Sequence, residues 1–197
     1  MRTRSIQNAV SVLMIAMFML QGCFNIATSG ASAVYNRHGL QRNFKDQVTT
    51  LRANQALNVK TSEFSNTNIS VATLGGEVLL AGQVPAQWQK EKAGEIVKNL
   101  PNVKTVYNLI TVASPSSTLT HLSDIWLTTK VKARLMASDD VDASQLKVVT
   151  ENGSVYLFGT LPAEEAEAAA DIASETDGVQ RVVKVFSYVT ISKRSTV

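Results

Sequence analysis

The alternation of apolar and polar positions occurs twice along this chain in nearly the same form. Residues 73–85 read TLGGEVLLAGQVP and residues 150–162 read TENGSVYLFGTLP, so a shift of 77 (153 minus 76) superposes Gly76 on Gly153, Val78 on Val155, Leu80 on Leu157, Gly82 on Gly159 and Pro85 on Pro162. Each copy shows helical spacing, then two runs of period two around a tight turn, then helical spacing, then an apolar strand at residues 103–107 or 179–183. The order is αββαβ. Upstream, Asp46, Thr50 and Leu57 fall on Asp124, Thr128 and Leu135 with a shift of 78 (124 minus 46), so a whole domain of roughly 70 residues is duplicated.

The turns have local causes. Asn152-Gly153 supplies the two positive φ angles of a type I′ hairpin, and Gly75-Gly76 can do the same in the first copy. Pro85 and Pro162 suit the start of the helix that follows, where no backbone N–H is needed. The pattern predicts a leader at 1–22, a flexible lipidated tether at 23–42, a first domain at 43–113, a linker at 114–120, a second domain at 121–192 and a tail at 193–197.

Arg2 and Arg4 precede an apolar run at 9–20 that is too short to span a bilayer comfortably, and small or polar residues then lead to Cys23. This is the layout of a secretory signal peptide. Leu20-Gln21-Gly22-Cys23 resembles the lipobox of bacterial lipoproteins. That resemblance implies cleavage before Cys23, a diacylglycerol on its thiol and an N-acyl chain on its new amino terminus. Cys23 is the single cysteine, so no intramolecular disulfide can form, and lipidation accounts for a thiol that would otherwise be free in an exported protein. Each buried methylene contributes about 0.8 kcal/mol, so two or three chains anchor stably. Phe24 follows the cysteine where aspartate is absent, resembling the enterobacterial pattern of lipoproteins sent to the outer membrane, with the domains on its periplasmic face.

Charge narrows the partners. The chain carries +3, which becomes +1 without Arg2 and Arg4 (3 minus 2), so bulk charge gives nucleic-acid binding no support and none is expected. The second domain is acidic: over residues 120–197, 8 basic minus 11 acidic residues gives −3.

The signature N-G-x-V-x-L-x-G before a proline-led helix resembles the BON domain, twice over residues 43–192. The second copy matches more fully, through Lys130-Val131-Lys132-Ala133 and residues 149–153 and 168–173, whereas Gly75 stands where asparagine is usual. Together with the lipobox, the chain resembles a dual-BON-domain outer-membrane lipoprotein. This implies an α+β fold of two tandem αββαβ units, each a small mixed three-stranded sheet covered by two helices. It also implies a non-enzymatic protein that maintains the envelope, binds anionic phospholipid such as phosphatidylglycerol and, in some relatives, gathers at the division site.

The helix expected over 124–137 has two faces. At 100° per residue Asp124, Leu127, Thr128, Val131 and Leu135 share one of them, a natural core face. Trp126, Ala133 and Ala137 lie opposite, with Ile125 and Met136 at one margin; Lys130 and Arg134 flank one side and Lys132 lies beyond Ile125. An indole among cations suits a membrane interface, where the ring sits among headgroups and the cations meet phosphates. Trp126, Lys130, Ala133, Arg134, Met136 and Ala137 are therefore the candidate phospholipid-binding residues. Packing of Trp126 against the first domain or the linker is the alternative. The matching first-domain stretch, Val48 with Arg52 and Gln55, holds no aromatic residue, which assigns lipid contact to the second domain.

Tyr156 and Phe158 alternate with Val155 and Leu157, so a thin sheet would carry apolar residues on both faces, and residues 78–81 raise the same issue. The two sheets dock on each other or on a partner protein; contact between the domains is the reading adopted. No catalytic motif is present: there is no G-x-S-x-G, phosphate loop or H-E-x-x-H. His38 and His121 stand without ligand sets, read as solvated loop residues, and neither a metal nor a cofactor beyond the acyl chains is expected. Glu164, Glu165 and Glu167 fit the first turn of a helix, complementing its dipole, and Trp88 reads as a packing residue. The competing function is that of a periplasmic adaptor, with envelope-assembly or division proteins as partners.

Overall fold

The computed structural model describes residues 33–59 and 63–189. Cys23 and the leader lie outside the described residues. The elements run α1 (Ala33–Val59), β1 (Asn68–Leu74), β2 (Glu77–Val84), α2 (Gln87–Lys98), β3 (Thr105–Asn108), β4 (Thr111–Val112), α3 (Thr118–Met136), β5 (Leu146–Glu151), β6 (Ser154–Leu161), α4 (Ala163–Ser174) and β7 (Arg181–Tyr188). The fold is α+β, two αββαβ units in tandem. β1 pairs antiparallel with β2 and β3 parallel with it; β5, β6 and β7 repeat that mixed arrangement.

Both first helices begin earlier than the sequence pattern indicates. Residues 33–42, expected as flexible tether, are already helical. No proline interrupts residues 33–59, so nothing in the backbone stops the helix from extending to Ala33. Residues 118–120, expected in the linker, belong to α3, because Ser117 caps it by accepting a hydrogen bond from Thr120 N at 3.2 Å. His38 and His121 consequently lie in helices rather than loops.

The upstream repeat match proves to be a clasp between helix and hairpin. Asp46 accepts from Gly75 N at 2.8 Å and Gly76 N at 3.2 Å, and Asp124 accepts from Asn152 N at 2.7 Å and Gly153 N at 2.9 Å. Thr50 donates to Thr73 at 2.9 Å as Thr128 does to Thr150 at 2.7 Å. Both turns have positive φ at their two central residues, 62° and 86° in the first and 49° and 69° in the second, as type I′ requires. The last strand enters by the same contact in each copy, Lys104 N to Gly76 O and Gln180 N to Gly153 O. In the first copy it is split into β3 and β4, because Asn108 turns aside to donate to Lys90 O at 2.7 Å.

The proline positions mark the helix starts: Pro162 is the N-cap of α4 and Pro85 precedes Ala86, the N-cap of α2. The central strands are buried on both sides. Val78, Leu80 and Val84 meet Ala53, Leu57, Ala93 and Val97 of α1 and α2. Val155, Leu157 and Leu161 meet Leu127, Val131 and Leu135 of α3 and the alanines of α4. The alternate residues form a third core between the sheets, from Leu74, Leu79, Ala81, Tyr156, Phe158 and Val185, with Tyr107 edge-on to Phe158 at 5.9 Å. The sheets therefore dock on each other, and this is why neither central strand alternates with polar residues. Every residue of these cores lies between Ala53 and Phe186, so a chain starting after Cys23 retains all of them.

Polar contacts border this third core. Glu77 accepts from Ser187 Oγ at 3.0 Å, and Glu151 accepts from Asn68 Nδ2 at 2.7 Å and from Ser70 Oγ. Burial pushes the Glu151 carboxyl above its ordinary value of 4.5, and nearby Asp124 adds to the rise, against hydrogen bonds from Ser70, Gln83 and Asn68 that favour the charged form. A raised carboxyl pKa in the folded state means that the folded chain binds the proton more tightly. Stability from this group is thus fully present below the unfolded-state value and declines as pH rises through the folded one. Glu151→Gln removes this term. In paired thermal melts the stability of the variant relative to the parent is expected to increase as pH rises from 4.5. A pH-independent difference would show that Glu151 does not titrate in that window.

Candidate functional site

α3 is held by one face only. Asp124, Leu127, Val131 and Leu135, spaced by three, four and four residues, are buried against the sheet and α4. The opposite face is open to solvent along its length, which at 1.5 Å per residue is about 28 Å. Trp126 is 60% exposed and Met136 76%, with Ile125, Ala133 and Ala137 exposed as well. The indole is therefore largely open to solvent rather than buried against the first domain or the linker. All six candidate residues lie on or beside this open face.

The earlier start of α3 lengthens its apolar stripe. Leu119 and Leu122, 79% and 58% exposed, continue the line of Trp126, Ala133 and Ala137. They escape notice in the sequence because they precede the buried Asp124; the signal that could have found them is the Ser117 cap.

The cations are less free than the helix alone suggests. Lys130 Nζ lies 5.1 Å from the centroid of the Trp126 ring and donates to Asp177 O at 2.9 Å. Arg134 donates to Thr176 Oγ1 at 3.2 Å and pairs with Glu175 at 3.4 Å. Asp124 is the only acid in the α3 sequence pattern, but folding brings Glu175 and Asp177, from the turn that follows α4, to the flank of the site. Lys132, exposed, lies on the other side with Met136, where α3 faces α1.

The remaining sequence candidates separate. Glu164 and Glu165 stand in the first turn of α4, where Glu165 accepts from Asp142 N at 3.0 Å, and Glu167 pairs with Lys184 of β7. Trp88, expected to pack, is 52% exposed, because the inward side of α2 is formed by Gln89, Ala93 and Val97 and the indole points away from it. α1 likewise exposes Phe44 and Leu51, so the first domain's helix presents an aromatic residue at 44, one turn before Val48. Among the described residues no group of three or more His, Cys, Asp or Glu could hold a metal, and no helix is long and apolar enough to cross a membrane.

Comparison with known proteins adds to this geometry. The BON domain family matches residues 45–114 and 123–190. The outer membrane lipoprotein DolP of Haemophilus influenzae is 34% identical over 184 residues, 91% of this chain and 95% of that protein. The 21 kDa hemolysin of Actinobacillus pleuropneumoniae is 38% identical over 121 residues, covering 61% of this chain and 62% of its own length. The osmotically-inducible protein Y of Escherichia coli is 33% identical over 143 residues, 71% of each chain.

Proposed function

The chain belongs to the BON domain family, with two copies of the domain, and on that footing we propose that it is an outer-membrane lipoprotein, anchored on the periplasmic face through Cys23, that binds anionic phospholipid through α3. The resemblance over nearly the full length of the Haemophilus outer membrane lipoprotein supports the anchor and location. The observation that carries lipid binding is the exposed Trp126 in a continuous apolar stripe beside Lys130 and Arg134.

The physical chemistry is that of an interfacial helix. Trp126, Leu119 and Leu122 enter the boundary between headgroups and acyl chains while the cations remain at phosphate level. The Arg134–Glu175 pair is exposed, and such pairs contribute about 0–1 kcal/mol, so exchanging carboxylate for phosphate costs little. Each cation near an anionic surface adds about 1 kcal/mol. The acyl anchor raises the effective concentration of α3 at the membrane, and the headgroup contact then lets the protein select anionic regions. Support of envelope integrity, with envelope-assembly or division proteins as partners, follows from that placement.

The test is sedimentation of a chain beginning after Cys23 with vesicles of phosphatidylcholine, alone or mixed with phosphatidylglycerol. Binding is expected to the mixed vesicles only, and to weaken between low and moderate salt as the exposed charges are screened. Equal binding to both would remove the headgroup reading. Absence of binding to either would leave Cys23 as the membrane contact and favour the adaptor, for which exposed Trp88 offers an anchor.

A further inference from the structure

Where the two domains meet, a groove of about 690 Å³ runs between α1 and α3 over the edge strands β1 and β5. Its apolar lining includes Leu51 of α1, Val71 of β1, Leu135 and Met136 of α3 and Val148 of β5. Lys132 and Lys147 also line it, and among the described residues neither side chain has a hydrogen-bond or ion-pair partner. The one carboxylate in the lining, Asp46, is committed to the amides of Gly75 and Gly76. The groove thus combines an apolar interior with two available cations and no available anion.

We propose that this groove holds one acyl chain of an anionic amphiphile, with its phosphate between Lys132 and Lys147. Its volume lies in the range of about 300–1,000 Å³ typical of small-ligand sites, most of them apolar with a few placed polar groups. Two lysines beside an apolar channel complement a molecule with a single anionic head and an unbranched tail. An extended peptide on the free edges of β1 and β5 would make no particular use of them. Lys132 and Met136 belong to α3, the helix proposed above to lie on the membrane, so a lipid leaving the bilayer reaches the groove along that helix. That source rests on the proposed function; the capacity of the groove does not.

The experiment uses the chain beginning after Cys23, which retains every core residue. The probe is lysophosphatidylglycerol below its critical micelle concentration, followed by calorimetry and by amide shift changes. One molecule is expected per chain, with shifts in β1 and β5. Alanine at Lys132 or Lys147 should weaken binding about fivefold each, the effect of one cation near an anionic headgroup. Leu51 is 57% exposed, so Leu51→Glu leaves the cores intact and places a carboxylate in the path of the ligand; about tenfold weaker binding or more is expected, at unchanged Tm. Trp126→Glu should abolish vesicle binding without changing affinity for the monomeric probe, which separates failure of the groove from failure of the membrane face.

Four results would overturn the proposal. Unchanged affinity in Leu51→Glu is one, and loss of the probe with Trp126→Glu, which would move the amphiphile to the outer face of α3, is another. Glycerol phosphate binding as tightly as the lysolipid would reduce the groove to an anion site. No binding of the lysolipid would leave an extended peptide as the occupant to be sought.

Discussion

Trp126→Glu is expected to lower the affinity of the anchor-free protein for phosphatidylglycerol-containing vesicles by roughly a hundredfold, which in a sedimentation assay reads as loss of binding. Burying a large apolar side chain contributes about 1.5–3 kcal/mol, and adding one negative charge removes roughly another 1 kcal/mol. Together these give about 3 kcal/mol, or two decades in affinity. Glutamate at 126 also stands four residues before Lys130, the favourable order for a helical ion pair, so it would draw that cation away from phosphate. The same pair helps preserve α3. Because the indole is exposed, the stability change should stay within about 0.5 kcal/mol. Retained binding in the variant would show that the membrane face lies elsewhere, and a large fall in Tm would show that the indole holds the fold together. Phenylalanine at 126 should recover part of the affinity.

Asp124→Ala, two residues away on the opposite face, is expected to do the reverse and destabilise the whole domain by about 3–5 kcal/mol. The carboxylate is buried and accepts from two backbone amides of the β5–β6 turn, at 2.7 and 2.9 Å. Hydrogen bonds to charged groups contribute about 1.5–3 kcal/mol each, and alanine would remove the acceptor that both turn amides share. Asn at 124 keeps one acceptor and should lose about half as much. Urea unfolding measures both; a loss under about 1 kcal/mol for alanine would mean that the turn holds its shape without the helix. The equivalent Asp46 has one longer contact, 3.2 Å to Gly76 N, and its removal should cost less. Vesicle binding by Asp124→Ala should fail only under conditions where the domain is unfolded, which distinguishes it from Trp126→Glu.

The contrast between these neighbouring positions was already visible in the helical spacing, because a helix at 100° per residue separates Asp124 from Trp126 whatever it packs against. Likewise the two type I′ turns, the strand alternation and the starts of α2 and α4 depend on residues adjacent in the chain. The duplication added a further level: Asp46 and Asp124, and Thr50 and Thr128, were recognisable as equivalent pairs before any contact was known. What they bind was not, since the aspartates reach turns 28 to 30 residues away and the threonines reach strand residues 22 and 23 away.

The departures share a cause. The outer face of α3 was legible, but its neutralising neighbours were not, because Glu175 stands 41 residues after Arg134 and meets it only when α4 packs beside α3. Trp88 looked like a packing residue until the orientation of α2 turned it outward. The two-sided apolar strands showed that something must cover them without showing what; docking of the two sheets answered that, and the same docking created the groove between α1 and α3. Sequence by itself determined the repeated unit, its turns and the two faces of its helices, since those follow from backbone geometry and local periodicity. Only the tertiary structure decided which faces remain exposed and which charges are already partnered, because those depend on how separate elements compete to bury the same apolar surface.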